Sequence, residues 1–321
     1  MSDLKVIIEK AEKYFEDGFF VDACEYYKKA YRKDKESFTI ELKEHFAKSI
    51  YESDIRDSGF LSDKLDSELI FITNLLDQKD TRNGEYDIYT ESVMTVIQFN
   101  NDFDTILRWY KKLDPKILSP ILLKNNSYSY RDKYYSNVTR ALLGKKEYKK
   151  CIALCNEALS NIDEIMNDDE NWFVVRLARS NAALGNYELA IEYFKEAIKH
   201  KVNWHNKHYF AECYYAYGDL DMALKTAIDA VLTEPKVKPY QKKNLYKFMK
   251  VLFDEKGLVK ESDDISQLIY SIRFNSTSTV IDEDDEDYLD FLEQLEDDSH
   301  INVEKIEKEL RKDWKRVYLN I

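Results

Sequence analysis

A pattern of small residues, rings and one glycine returns at a fixed interval in the second half of the chain. Gly185-Asn186-Tyr187 is followed by Ala190, Phe194 and Ala197. Gly218-Asp219-Leu220 is followed by Ala223, Ala227, Ala230 and Pro235, and Ala190 and Ala223 are 33 positions apart. Leu177 and Ala178 precede the first glycine as Phe210, Ala211 and Tyr214 precede the second. Such a unit is a pair of antiparallel helices. Small residues let the two helices approach, rings fill the holes beside them, and glycine ends the first helix where positive φ is cheap. Each hairpin leaves an apolar face that only a neighbouring hairpin can cover, so the units must stack.

Weaker copies flank this pair. Ala11, Tyr14, Gly18, Ala23, Tyr27 and Ala30 make a unit near the N-terminus. Val138, Leu142, Tyr148, Cys151, Cys155 and Ala158 make another over 132–165, although Gly144 stands two positions early. Met94, Ile97, Phe103, Ile106 and Tyr110 keep the spacing over 87–119 without the small residues, and Met249, Phe253, Gly257 and Ile269 read as a closing pair of helices. Between 36 and 80 helices are expected without a clear repeat phase. Residues 161–171 lengthen one junction and predict a longer helix or a protruding loop. These residues resemble the tetratricopeptide repeat (TPR), a helix–turn–helix unit of about 34 residues. The resemblance implies an all-α, TPR-like helical-hairpin solenoid wound as a right-handed superhelix. Its expected parts are an N-terminal hairpin at 1–37, degenerate helical repeats at 38–131, a repeat array at 132–272, an acidic linker at 273–300 and a C-terminal amphipathic helix at 301–321.

Composition agrees with helices. Only 7 Gly and 4 Pro occur in 321 residues, too few for the frequent tight turns of sheets or for glycine-rich phosphate loops. No apolar run approaches the length of a membrane span, the first residues lack the apolar core of a signal peptide, and four scattered Cys make no disulfide framework. A cytoplasmic protein without membrane association is expected. The net charge of −13 belongs to one segment: 282–298 holds 11 acids and no base, and outside it 50 acids stand against 48 bases. A body so close to neutral argues against a general nucleic-acid binder.

In the TPR family the first helices line a concave face that commonly binds a peptide or helix. The resemblance places Asn137, Arg140, Trp172, Arg176, Arg179, His205, His208, Tyr209, Tyr215 and Lys247 there, a basic and aromatic-rich stripe. Arginine forks suit carboxylates, and rings give contact area at low entropic cost. The expected function is a non-catalytic scaffold or adaptor for a protein partner, with no cofactor and no metal. The co-chaperone clamp of this family is not reproduced, because Ser136, Val175 and His208 occupy clamp positions. Two alternatives differ in class. One is nucleic-acid association through the same groove; a repeat array followed by a charged connector is similar to bacterial conflict-system proteins, although the nucleic-acid-binding barrel of those proteins has no counterpart here. The other is a metal at His205 and His208, with Glu212 at i+7. Cys151 and Cys155 fill packing positions of the repeat and read as buried free thiols.

Within the acidic segment Tyr288, Phe291, Leu292 and Leu295 follow the i, i+3, i+4, i+7 spacing of an amphipathic helix. Tethered through the polar run FNSTSTV, it predicts a recognition helix able to mask a basic groove in cis. Val303, Ile306, Leu310, Trp314 and Val317 predict a second amphipathic helix, with Lys305, Lys308, Arg311, Lys312, Lys315 and Arg316 on its solvent face, that caps the array.

Overall fold

The computed structural model describes residues 3–56, 62–79, 87–99, 102–118, 129–161, 169–275, 286–293 and 301–321. All regular structure among them is helical, the all-α hairpin class expected from the repeat. None of these helices is long and apolar enough to cross a membrane. The chain divides into two compact units, Met1–Arg176 and Leu177–Ile321.

The first unit holds α1 (Asp3–Glu16), α2 (Phe20–Lys33), α3 (Ile40–Ile50), α4 (Asp63–Leu75), α5 (Ile88–Phe99), α6 (Phe103–Tyr110), α7 (Tyr130–Gly144), α8 (Tyr148–Asn161) and the start of α9 (Asp169–Ala183). Consecutive helices pair as hairpins, and the first helices α1, α3, α5 and α7 follow one another in a row. Ala11, Ala23 and Ala30 are fully buried in the first hairpin, and the Tyr27 hydroxyl donates to Glu12.

The described residues between 36 and 79 are hairpin too, and the reason the repeat is illegible there is local. Helix α3 runs on into a π-helical segment, Tyr51–Ile55, in which Arg56 N–H reaches back to the Tyr51 carbonyl at 2.9 Å. A π segment places an extra residue in the turn, so the side chains after it leave the 3.6-residue phase. The packing there is by rings rather than small residues. Phe46 lies 5.6 Å from Tyr27 and 5.4 Å from Phe71, and Tyr31 lies 5.9 Å from Phe71.

The misplaced glycine of the 132–165 repeat also has a reason. Gly144 ends α7 in ordinary helical backbone, and a Cβ there would overlap the Phe103 ring of α6. The left-handed turn falls two residues later, on Lys146 with φ +60°. Gly18, Gly185, Gly218 and Gly257 take that role in other hairpins, with φ from +67° to +92°. Cys151 and Cys155 are buried thiols of this hairpin, their sulfurs 4.0 Å apart. The lengthened junction expected over 161–171 falls largely outside the described residues.

The second unit holds the rest of α9, then α10 (Tyr187–His200), α11 (Trp204–Tyr217), α12 (Leu220–Thr233), a 3-10 turn (Pro239–Lys242), α13 (Lys243–Glu255), α14 (Val259–Phe274), α15 (Glu286–Glu293) and α16 (Val303–Asn320). Ala190, Ala197, Ala211, Ala223, Ala227 and Ala230 are fully buried where helices cross. Phe194 stacks on Phe210 at 5.3 Å.

Helix α16 packs on α12, α14 and the 3-10 turn, and Trp314 is fully buried with Tyr246 as a ring neighbour at 6.0 Å. Its interface contains charge that the amphipathic pattern does not announce. Glu307 is buried, accepting from the Tyr246 hydroxyl at 2.5 Å and pairing with Arg311 at 2.6 Å. Lys242, also buried, lies 3.7 Å from Glu307 and donates to the Glu234 carbonyl at 2.8 Å. Arg311, expected on the solvent face, turns inward and donates to the Pro235 carbonyl at 3.0 Å. The arginine satisfies a carbonyl just past the end of α12.

Candidate functional site

The left-handed turn residue sets the register of each first helix. Nine residues before it stand Asn137, Arg176, Tyr209 and Phe248; six residues before it stand Arg140, Arg179, Glu212 and Val251. The lining positions are thus equivalent in the repeat, yet their side chains are placed differently.

In the first unit, Arg140 is exposed and Asn137 is half-buried, its amide donating to the Lys133 carbonyl at 2.9 Å. Trp172 is half-buried. Arg176 is not presented to solvent: it is 8 % exposed, donates to Thr139 Oγ1 at 3.0 Å and lies 5.7 Å from the Phe173 ring. The hydroxyl of Thr139 in α7 offers an acceptor inside the packing, and the long arginine stem is covered on the way to it. Arg176, expected as a groove cation, is therefore an internal strut.

The second unit gathers a ring cluster on α11. Trp204 stacks on His205 at 3.6 Å, and His208 lies parallel to Tyr209 at 5.8 Å. Phe248 of α13 reaches both His208 at 5.8 Å and Tyr215 at 5.7 Å. The guanidinium of Arg179, on α9, sits 3.9 Å from the centre of the Tyr209 ring, within cation–π range. The Tyr215 hydroxyl donates to Glu255 at 2.5 Å. Arg179 and Tyr209 are half-exposed, His205, Glu212 and Tyr215 are exposed, and His208 is buried. The structure thus brings together Arg179, His205, His208, Tyr209 and Tyr215. Lys247 stands apart, turned toward α14 among Lys243, Lys250 and Arg273. Phe248 holds the place in the row that the sequence reading gave to Lys247; counting back from Gly257 as from Gly218 would have found it.

Burial pushes His208 down to about 4, helped by the nearby His205 and Arg179. Its ring is neutral at pH 7 and adds no cation to the face. Its Nε2 has no hydrogen-bond partner, although Glu212 Oε1 lies 3.5 Å away. Desolvation pushes the Glu212 carboxyl up while Arg179 opposes it, and the 49 % exposure of that side chain keeps the effect modest. His205 is likewise pushed down by burial. The alternative of a metal at His205 and His208 finds no support: His205 stacks on Trp204, and among the described residues no three His, Cys, Asp or Glu side chains converge as metal ligands would.

The described part of the acidic segment, α15, packs on α14. Tyr288 and Phe291 are buried, each within 6 Å of the Tyr270 ring, at 5.7 and 5.6 Å, and Arg273 lies 3.9 Å from the Tyr288 ring centre. Leu292 is half-buried, and Leu295 lies outside the described residues.

No family model and no curated protein matches the sequence. Among solved structures, the chain is similar to a tetratricopeptide repeat protein from Parabacteroides merdae, with 16 % identity and a TM-score of 0.44 over 90 % of this chain and 97 % of that one. It is similar to the C-terminal part of a TPR repeat-containing protein from Cytophaga hutchinsonii, with 12 % identity and a TM-score of 0.47 over 89 % and 99 % of the two chains. It is also similar to a Rap protein solved with Competence and Sporulation Factor, with 14 % identity and a TM-score of 0.39 over 83 % and 74 %.

Proposed function

We propose that the chain is a non-catalytic adaptor whose first-helix face holds a protein partner as an extended or helical peptide. The observation that carries this reading is the α11 cluster: an arginine held over a tyrosine ring at 3.9 Å, between exposed rings and beside a half-exposed carboxylate. A pre-positioned guanidinium and rigid rings give a partner carboxylate and apolar side chains fixed contacts at small entropic cost. The face is aromatic first and cationic second, because Arg176 is internal and His208 neutral. We also assign the self-masking role of the acidic segment to α15, and locate it on the last hairpin, against α14, rather than over α11.

The test is capture from a lysate by the full chain, followed by mass spectrometry, with Arg179→Glu and Tyr209→Ala as comparison baits. A protein retained by the wild type and lost by both variants supports the reading. Equal retention by all three removes the site. Retention that collapses by orders of magnitude between 50 and 200 mM salt and follows nuclease treatment would transfer the face to nucleic acid.

A further inference from the structure

The last hairpin carries a second cationic feature, separate from the α11 face. A cleft of about 440 Å³ opens between α13 and α14, lined by Lys243, Lys247 and Lys250 from one helix and Ile269, Tyr270 and Arg273 from the other. Phe248 points the other way, toward α11. Lys250 is paired with Asp254 at 2.9 Å, but among the described residues no carboxylate bonds Lys243 or Lys247. Burial first, and then the cations Lys247 and Arg273, hold the Lys243 ammonium below its ordinary range. Lys243 and Lys247, like charges one turn apart on α13, are stabilised by an anion beside them.

Helix α15 occupies the edge of this cleft. Tyr270 and Arg273, two of the lining residues, are the ones that Tyr288 and Phe291 contact. These anchors come from the segment that holds 11 acids and no base. The docked pattern is therefore two rings, three residues apart, on a helix of the acidic segment, against Tyr270 and Arg273.

We propose that this cleft is a receptor for acidic helices bearing two aromatic anchors three residues apart, that α15 is its occupant in cis, and that a partner protein's helix of the same chemistry displaces α15 in trans. Charge complementarity selects the occupant. The rings fix its position on Tyr270 and Arg273, and the net negative charge of the segment favours the neighbourhood of the lysines. Because α15 is tethered, it competes at an effective concentration on the order of 1 mM. An intrinsic dissociation constant of about 100 μM then keeps α15 docked roughly ten times out of eleven, and weakens a trans competitor about tenfold. The inference does not depend on the α11 face.

The probe is a fluorescent synthetic peptide of residues 281–298, titrated into the full chain. The released chain, Tyr288→Ala with Phe291→Ala, is expected to bind it about tenfold more tightly than the wild type does. Adding Lys243→Glu and Lys247→Glu to the released chain cancels that binding by tenfold or more, and a peptide lacking both rings fails to compete. Equal binding by wild type and released chain, no binding by the released chain, or indifference to the lysine reversal overturns the proposal. So does complete displacement by millimolar inorganic phosphate together with equal competition from the ring-less peptide, which would make the cleft a simple anion site. If the released chain does not fold, hydrogen exchange of 286–293 in the otherwise wild-type Lys243→Glu, Lys247→Glu chain decides. Faster exchange there, with unchanged exchange in α11 and α12, supports docking by charge, and unchanged exchange of 286–293 overturns it.

Discussion

Single residues decide where this repeat departs from its own pattern. Lys146 carries the positive φ that four glycines carry elsewhere, and a residue with a Cβ pays about 1–2 kcal/mol there. Part of that is offset by the extra unfolded-state freedom of glycine, so Lys146→Gly is expected to stabilise the chain by about 0.5–1 kcal/mol. Gly144 has the opposite logic, because its missing side chain is what admits the Phe103 ring. Gly144→Ala is expected to destabilise by about 1–3 kcal/mol through overpacking, with much of the loss removed by adding Phe103→Leu. Thermal or urea melts of the three variants check both. His208 is held at about 4 against an ordinary value near 6.5. The unfolded chain therefore takes up a proton between pH 6.5 and 4 that the folded chain refuses. The stability tied to this group is whole above about pH 6.5 and declines toward pH 4, by up to about 3 kcal/mol. Urea midpoints at pH 7 and pH 5 should converge in His208→Phe relative to the wild type; an unchanged gap would show that other groups set the acid sensitivity. The sequence placed His208 on the first-helix face, but its neutrality follows from neighbours on α9 and α13.

At the scale of elements, periodicity found the helices and missed what holds some of them. The stripe Val303, Ile306, Leu310, Trp314 and Val317 marked α16 as amphipathic, and Trp314 is indeed its deepest residue. The buried Lys242–Glu307–Arg311 group was not legible, since a charged residue on a helix is ordinarily solvated and nothing in the spacing says which one is covered. Trp314→Ala is expected to cost about 3–5 kcal/mol from lost burial and the cavity left behind. Glu307→Ala is expected to cost about as much, because it strands Lys242 and Arg311 without their carboxylate. Glu307→Ala with Lys242→Met should recover part of the loss, read as the denaturant midpoint of the second unit. The stretch over 36–80 was hidden for a different reason. A π segment shifts the side-chain phase after Tyr51, and rings replace the alanines by which the repeat is identified.

For the molecule as a whole, charge distribution sets what it avoids. Acids and bases nearly cancel outside 282–298, so net charge gives the body no general attraction for a polyanion. The full chain is expected to leave a heparin column at low salt, well below 150 mM. Neutralising the acidic run by Asp→Asn and Glu→Gln changes should raise retention only slightly; strong retention would revive the nucleic-acid alternative. The acidity lies in a segment whose described helix is docked on the last hairpin. Its docking place on α14 was not readable from composition.

The amino-acid sequence alone determined the helical hairpin and its interval, because small residues, rings and a turn glycine can satisfy packing at that spacing in only one way. It also determined which positions face along the first helices, once the left-handed turn residue is used as the zero of the count. Tertiary structure alone decided the state of the side chains at those positions. Arg176 and Arg179 are three residues apart on one helix, yet Thr139 draws the first inward and the Tyr209 ring holds the second at the surface. Periodicity fixes direction about a helix axis, whereas burial and charge depend on which group the neighbouring helix brings opposite.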